Sequence, residues 1–268
     1  MKGKNAVGLK EVQAVYSGPE WDLWVLLMGQ QIHIGGLRSS TALAEAAGVG
    51  RGMQGVDLCC CTGAGMRFLT RFRDVDRMHG VDATEAVVEA GRQRCDEEGF
   101  ADRIEFTVAD VCDTGLPEAS ADFVWGEDAW CYVVDKPALI NEAARLVKPG
   151  GTIAFTDWVE GPAGLTEEEA DRFLSFMKFP NIQDFDGYRE LLTKASCEVT
   201  VCEDTGQFAP HVELYINMVE MQLTYDALKI IGFNAEMAGA ILDTMKFMRD
   251  AASAGKIAQG RFVARKAG

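Results

Sequence analysis

Short apolar runs alternate with longer segments of helical period through the middle of this chain. Runs near 55–60, 77–82, 103–108, 121–127 and 150–157 have the length of buried strands. The segments near 64–73, 84–98 and 137–146 repeat apolar positions every three to four residues. Strands separated by helices of this length imply right-handed βαβ units and a parallel sheet. The stretch L-V-K-P-G-G, from Leu146 to Gly151, ends a helix with a base, a proline and two glycines before a new strand. Ahead of this array, residues 9–48 read as helical. After Asp157 the rhythm changes. Thr166 and Glu169 form a capping box that opens a helix to about Met177. A helix near 186–195, a strand near 197–205, helices near 211–227 and 233–253, and a strand near 258–265 follow.

The predicted architecture is α/β: a Rossmann-like, mostly parallel seven-stranded sheet with helices on both faces and helical lid insertions. It makes a single domain over 1–268, with its core at approximately 50–157, 184–207 and 257–266. A helical flap covers 1–49, and helical caps are inserted at 158–183 and 208–256. The caps carry Phe173, Phe176, Met177, Phe179, Met218, Met221, Met245, Phe247 and Met248. Such a stripe is first of all core. Caps near the ends of parallel strands are also well placed to cover a cofactor crevice.

Composition narrows the partners. The 268 residues include 26 Lys and Arg against 41 Asp and Glu, a net charge of −15, with no basic stripe. Nucleic acid would be repelled, which leaves a small molecule as the expected partner. No run of 18 apolar residues suggests a membrane span, and the opening M-K-G-K-N-A-V-G lacks the apolar stretch of a signal peptide, so a cytoplasmic location is expected. The eight cysteines are scattered without a C-x-x-C pair, and consecutive strand residues cannot converge three thiolates on one ion. No metal site is expected; buried reduced thiols are. A homodimer through the caps is compatible with the pattern.

The chemistry concentrates in V-D-L-C-C-C-T-G-A-G, from Val56 to Gly65, with Asp82 closing the next strand. A strand, a small-residue turn and a helix, then an acid at the next strand end, cradle a nucleotide: backbone N–H groups face the ligand and the acid accepts ribose hydroxyls. A dinucleotide fingerprint needs a third glycine, but Met66, Arg67 and Phe68 follow Gly65. Asp57, inside the strand, suits a cofactor with a cationic amino-acid end. S-adenosylmethionine fits better than NAD.

D-L-C-C-C-T-G resembles the D-L-G-C-G-T-G turn of class I S-adenosylmethionine-dependent methyltransferases. Gly80-Val81-Asp82 is similar to their ribose-binding strand end, Ala109-Asp110-Val111 to their adenine-binding one, and Arg145–Gly151 to their R-V-L-K-P-G-G turn. Tyr16-Ser17, Ile32-His33-Ile34-Gly35, Trp125–Trp130 and Ala254–Ile257 resemble sarcosine/dimethylglycine-type small-molecule N-methyltransferases. The resemblance implies S-adenosyl-L-methionine as cofactor, S-adenosyl-L-homocysteine as product and a glycine-type amine as methyl acceptor. Oxygen, sulfur and carbon acceptors, or a non-catalytic binding protein of the same fold, stay open. It implies cofactor binding by Tyr16, Ile34, Asp57, Cys59, Cys60, Cys61, Gly63, Asp82, Ala83, Asp110, Val111 and Glu127. The candidate catalytic residues are His33, Glu127, Asp128, Trp130 and His211, with Trp130 as a pocket wall and Tyr16, Trp21 and Trp24 closing the flap. Competing assignments are plain: Asp82 as a helix cap, Asp110 as a loop acid, the histidines as packing residues. Cys59 and Cys61 depart from the family, standing where it has glycines that allow close backbone approach.

Overall fold

The computed structural model describes residues 7–16 and 19–268. Seven strands, β1 (Gln54–Leu58), β2 (Arg77–Asp82), β3 (Ile104–Val108), β4 (Ala121–Glu127), β5 (Val147–Glu160), β6 (Cys197–Asp204) and β7 (Ile257–Lys266), form one sheet ordered β3-β2-β1-β4-β5-β7-β6. Strands β1 to β5 pair in parallel, while β7 runs antiparallel to both β5 and β6. The order reverses between β1 and β4, so the strand ends diverge there and open a crevice.

Both faces of the sheet are covered. Side chains alternate along each strand, so Val56 and Val124 face one layer while Phe123 and Trp125 face the other. Helices α6 (Lys136–Leu146) and α8 (Phe185–Lys194) pack Leu139, Ile140 and Tyr188 on the first face. Helices α3 (Gly36–Ala47), α4 (Ala64–Phe72) and α5 (Glu85–Glu97) pack Leu43, Leu69 and Val88 on the second. A third apolar cluster gathers around Trp158 near the end of β5. It joins α7 (Glu167–Met177), α9 (Phe208–Glu220) and α11 (Ala235–Ser253) through Phe173, Val212 and Met245, with Leu27 from α2 (Pro19–Met28). The flap expected over 1–49 comprises α1 (Leu9–Val15), α2 and α3 among the described residues; Ser17 lies outside them. Among the described residues no helix is long and apolar enough to cross a membrane.

Two local expectations change. The helix foreseen over 211–227 is two helices, α9 and α10 (Thr224–Ile230), broken at Met221, whose backbone (φ −123°, ψ −87°) leaves the helical region. No proline or glycine marks the break. The L-V-K-P-G-G segment does not wait until 150 to become strand: Val147 already pairs with Ala121, and the register then jumps to Phe123 opposite Thr152. Residues 148–151 bulge outward, with Gly150 at φ 75°.

Helix α6 is also tied to the loop before β4 through Glu142 and Arg145, an ion pair within the helix whose members reach Thr114 and the Leu116 carbonyl. Glu142, with a side chain 7% exposed, accepts from Arg145 Nε and Nη2 at 2.6 Å each and from the Thr114 backbone N–H at 3.0 Å. Burial alone would raise its carboxyl, but the hydrogen bonds from Arg145 and Thr114 outweigh it and bring it down to about 2. The folded carboxyl therefore binds its proton more weakly than the unfolded one. Its stabilisation is present above the ordinary glutamate range and is lost as pH falls from about 4.5 toward 2. Denaturant titrations should show about 2–3 kcal/mol of acid sensitivity in that window, absent in Glu142→Gln. An equally steep acid limb in the variant would assign the effect elsewhere.

Candidate active site

The crevice at the reversal of strand order holds the residues that the sequence singles out. β1 ends at Leu58, and Cys59 and Cys60 continue its pairing through their N–H groups to the Val81 carbonyl (2.9 and 3.2 Å). The turn then winds tightly. Cys59 (φ 63°), Cys61 (φ 49°) and Gly63 (φ 73°) are all left-handed, and Gly63 caps α4. Two of these positions thus carry a β-carbon in a conformation that glycine adopts more easily, at a cost of roughly 1–2 kcal/mol each. They are held there by their surroundings. The Cys61 N–H donates to Asp82 Oδ2 at 2.9 Å, and Arg67 Nη1 donates to the Thr62 carbonyl at 2.6 Å. Arg94 Nη1 reaches Thr62 Oγ1 at 3.0 Å. Burial pushes the thiols of Cys59, Cys60 and Cys61 up, so they stay protonated, small and apolar.

Two cavities meet at this turn. The outer one, about 290 Å³, lies at the ends of β2 and β3 and is lined by Asp82, Ala83, Asp110 and Val111. Asp82 is buried, and burial raises its carboxyl while hydrogen bonds from the Thr84 and Cys61 N–H groups pull it back. Each of its oxygens accepts one backbone N–H at 2.9 Å, and the carboxylate keeps acceptor capacity for a ligand hydroxyl. The helix-cap assignment and the ligand assignment are thus compatible in one side chain. Asp110 is exposed and closes its own turn through the Cys112 N–H at 2.9 Å. Gln13 Nε2 donates to the Ala83 carbonyl at 2.8 Å, tying α1 to the rim.

The inner cavity, about 100 Å³, is lined by Asp57, the three cysteines, Ala64, Gly65, His33, Glu127 and Asp128, with Trp21 and Trp24 from the flap. Tyr16, Cys59, Ala129 and Tyr132 line both cavities and join them. Asp57 and Glu127 converge above the first turn of α4: a β-carbon on Gly65 would lie 2.8 Å from Glu127 Oε2 and 3.4 Å from Asp57 Oδ2. Burial, then Glu127, then Asp82 drive the Asp57 carboxyl well above its usual range. Glu127 Oε1 is buried and makes no hydrogen bond; His33 Nε2 stands 3.4 Å away. No lysine or arginine lines this cavity among the described residues. Buried acids short of positive charge fit a cationic ligand group. Gly65→Ala should therefore displace Glu127 and weaken S-adenosylhomocysteine binding about tenfold or more, with little change in thermal midpoint. Equal affinity by calorimetry would show that the acids do not face the ligand.

Several expected residues stand elsewhere. Trp130 is not a pocket wall: the 3-10 turn Trp130–Tyr132 rotates it under β1, where it stacks on Phe155 (4.0 Å between centroids) and donates to the Leu58 carbonyl at 3.2 Å. Tyr132 of the same turn faces the cavities instead. His211 lies on the flank of α9, bonded to the Gln207 carbonyl at 2.8 Å, and lines neither cavity. The Ile34 side chain is fully buried in the third apolar cluster, and its backbone is what matters. Its N–H donates to Asp128 Oδ2 at 2.8 Å, and its carbonyl accepts from Gln259 Nε2 at 3.0 Å. Gln259 also reaches both Asp128 oxygens, at 3.0 and 2.9 Å. Asp128 is thus a clasp between flap, β4 and β7 at the cavity wall, with both oxygens bonded, whereas Glu127 Oε1 has no hydrogen bond there. Sequence reasoning passed over Gln259, Tyr132 and Arg67. Arg67 extends from the turn to Gln30 Oε1 (3.0 Å) in the flap and pairs with Glu98 at 3.1 Å.

Comparison with known proteins agrees with this geometry. A family described as a methyltransferase domain matches residues 56–155. The chain is 31% identical over 156 residues to the 27-O-demethylrifamycin SV methyltransferase of Amycolatopsis mediterranei, covering 57% of each protein. It is 25% identical over 194 residues to phosphoethanolamine N-methyltransferase 3 of Arabidopsis thaliana, covering 71% of this chain but 38% of that protein. The chain therefore spans less than two thirds of the length of these relatives. Two solved structures share the fold. A Galdieria sulphuraria protein assigned as a sarcosine dimethylglycine methyltransferase superposes with a TM-score of 0.82 at 19% identity, covering 93% of this chain and 97% of that one. Phosphoethanolamine N-methyltransferase 2 of Haemonchus contortus, solved with phosphomonomethylethanolamine and S-adenosylhomocysteine, gives 0.83 at 20%, covering 95% and 58%. Residues 56–155 thus match a methyltransferase-domain family, and the chain has the Rossmann-like α/β fold of these methyltransferase structures.

Proposed function

We propose that this chain transfers a methyl group from S-adenosylmethionine to a nitrogen or oxygen of a small molecule by direct in-line displacement. The observation that carries this is the pair of buried acids, Asp57 and Glu127, with His33 at Glu127, in a cavity that shares a wall with the Asp82 groove. Asp82, Ala83, Asp110 and Val111 would hold the nucleoside, with Asp82 accepting ribose hydroxyls. The start of α4 would receive the cofactor's carboxylate, and Asp57 its ammonium. When bound, S-adenosylmethionine supplies an activated methyl on a cationic sulfur. The protein then has to orient a nucleophile, exclude water and remove a proton.

His33 and Glu127 are suited to the last task. With His33 Nδ1 assigned as donor to the Ile34 carbonyl at 3.3 Å, Nε2 carries the lone pair, beside the Ser40 hydroxyl at 3.1 Å and Glu127 at 3.4 Å. The acids lining the inner cavity favour an acceptor whose reacting end is neutral or cationic over one that brings a carboxylate, as glycine-type amines do. The proposal therefore takes in amines without that carboxylate in place of the glycine-type amines. Incubation with S-adenosylmethionine and a panel of alcohols and amines, beside glycine, sarcosine and dimethylglycine, would be followed as S-adenosylhomocysteine release by mass spectrometry. Release with carboxylate-free acceptors is expected. Release confined to the glycine series would overturn the acceptor assignment, and no release with any acceptor would overturn the enzyme.

A further inference from the structure

Next to the inner cavity lies a larger chamber of about 520 Å³, walled by α2, α7, α9, α10 and α11. Leu27, Phe176, Leu228, Ile241 and Met245 are typical of its lining. Its charged lining residues among those described are Lys178 and Glu220, and Glu220 is paired with Lys246 at 2.7 Å. Val15, Trp24, Tyr132 and Met177 line both chamber and inner cavity, so the two share a wall. Protein interiors leave few voids larger than a water molecule, whereas a space of this size matches small-ligand sites. The chamber is about five times the volume of the inner cavity. The larger and more apolar space beside the buried acids is the one suited to the body of an acceptor.

Building on the methyl-transfer reading of the inner cavity, we propose that the acceptor is an amphipathic small molecule whose apolar body fills this chamber. Its nucleophilic end passes between Trp24, Tyr132 and Met177 to reach His33 and Glu127. Selectivity then comes from burial of an apolar body by the caps, not from a charged anchor. The Met and Phe side chains of the caps serve two purposes: Phe173 and Met248 are core, while Phe176, Met177 and Met245 face the chamber.

Binding separates this proposal from turnover. With S-adenosylhomocysteine saturating the site, n-alkanols from 1-butanol to 1-decanol would be titrated by calorimetry. Affinity should rise about fourfold per methylene until the chamber is filled. Ala238→Phe, which projects a ring into the chamber from half-buried Ala238 of α11, should weaken 1-decanol binding about tenfold or more and leave S-adenosylhomocysteine affinity unchanged. Ile241→Ala, which widens the chamber with no overpacking, should shift the preference toward longer chains. An affinity that is flat with chain length, or that both variants leave untouched, would overturn the proposal. So would a dimer that Ala238→Phe dissociates while alkanols fail to bind. If S-adenosylhomocysteine itself does not bind, the methyl-transfer reading falls, and the alkanol series on the free protein still decides what the chamber holds.

Discussion

Replacing His33 by asparagine is expected to lower methyl-transfer turnover about a hundredfold or more while changing S-adenosylhomocysteine affinity by no more than about threefold. His33 is 4% exposed, with Nε2 between Ser40 Oγ and Glu127 Oε1 and its ring at the cavity wall. A positioned base contributes roughly 10²–10⁴ in rate when the nucleophile must lose a proton, and Glu127 would stabilise the imidazolium that forms. Asparagine keeps a polar group for Ser40 and fills much of the ring's space, but it cannot take a proton. Loss of turnover at retained affinity therefore isolates proton transfer from binding. Unchanged turnover would reduce His33 to a packing residue hydrogen-bonded to Ser40.

The second large effect is structural. Asp128→Ala should cost about 3 kcal/mol, because it leaves the Ile34 N–H and one N–H of the Gln259 amide buried without their acceptor. For a chain of this size that is a fall in thermal midpoint of roughly 6–12 °C. The loss should be local before it is global: the segment around Ile34 is held to the sheet by this carboxylate, so its amide exchange should accelerate first. Asp128 sits at φ 51°, where asparagine is better tolerated than alanine, so Asp128→Asn should cost distinctly less. A midpoint within 2 °C of the native protein for Asp128→Ala would show that water replaces the clasp, by the same scaling of midpoint with stability.

The contrast between Asp128 and Asp82 shows what the chain discloses on reading. Asp82 ends an apolar run beside a turn of small residues, and the turn and the strand end are local, so its place at the mouth of the crevice was legible. The duty of Asp128 depends on Gln259, which lies 131 positions away. Nothing local distinguishes Asp128 from Glu127, yet at the same cavity wall the oxygens of one are consumed by the clasp and the other keeps an unbonded oxygen. Trp130 failed for a similar reason. In a turn of three residues a single step decides which aromatic points inward, and Trp130 took the core while Tyr132 took the site. His211 was readable after all. Phe208, Val212, Tyr215 and Ile216 form the buried stripe of α9, and that spacing puts His211 on its flank. The break at Met221 was not readable, since no proline or glycine marks it. Cys59 and Cys61 could be flagged as departures, but only the backbone reveals that both are left-handed.

Calorimetric titration of S-adenosylhomocysteine into the native chain and Asp82→Ala tests most directly whether the joined cavities are a cofactor site. Saturable binding to the native chain is expected, weakened about tenfold or more in the variant while circular dichroism shows the sheet intact, the scale of one lost charged hydrogen bond. Equal affinity in the two proteins, or no binding to the native chain, would contradict the assignment of this crevice.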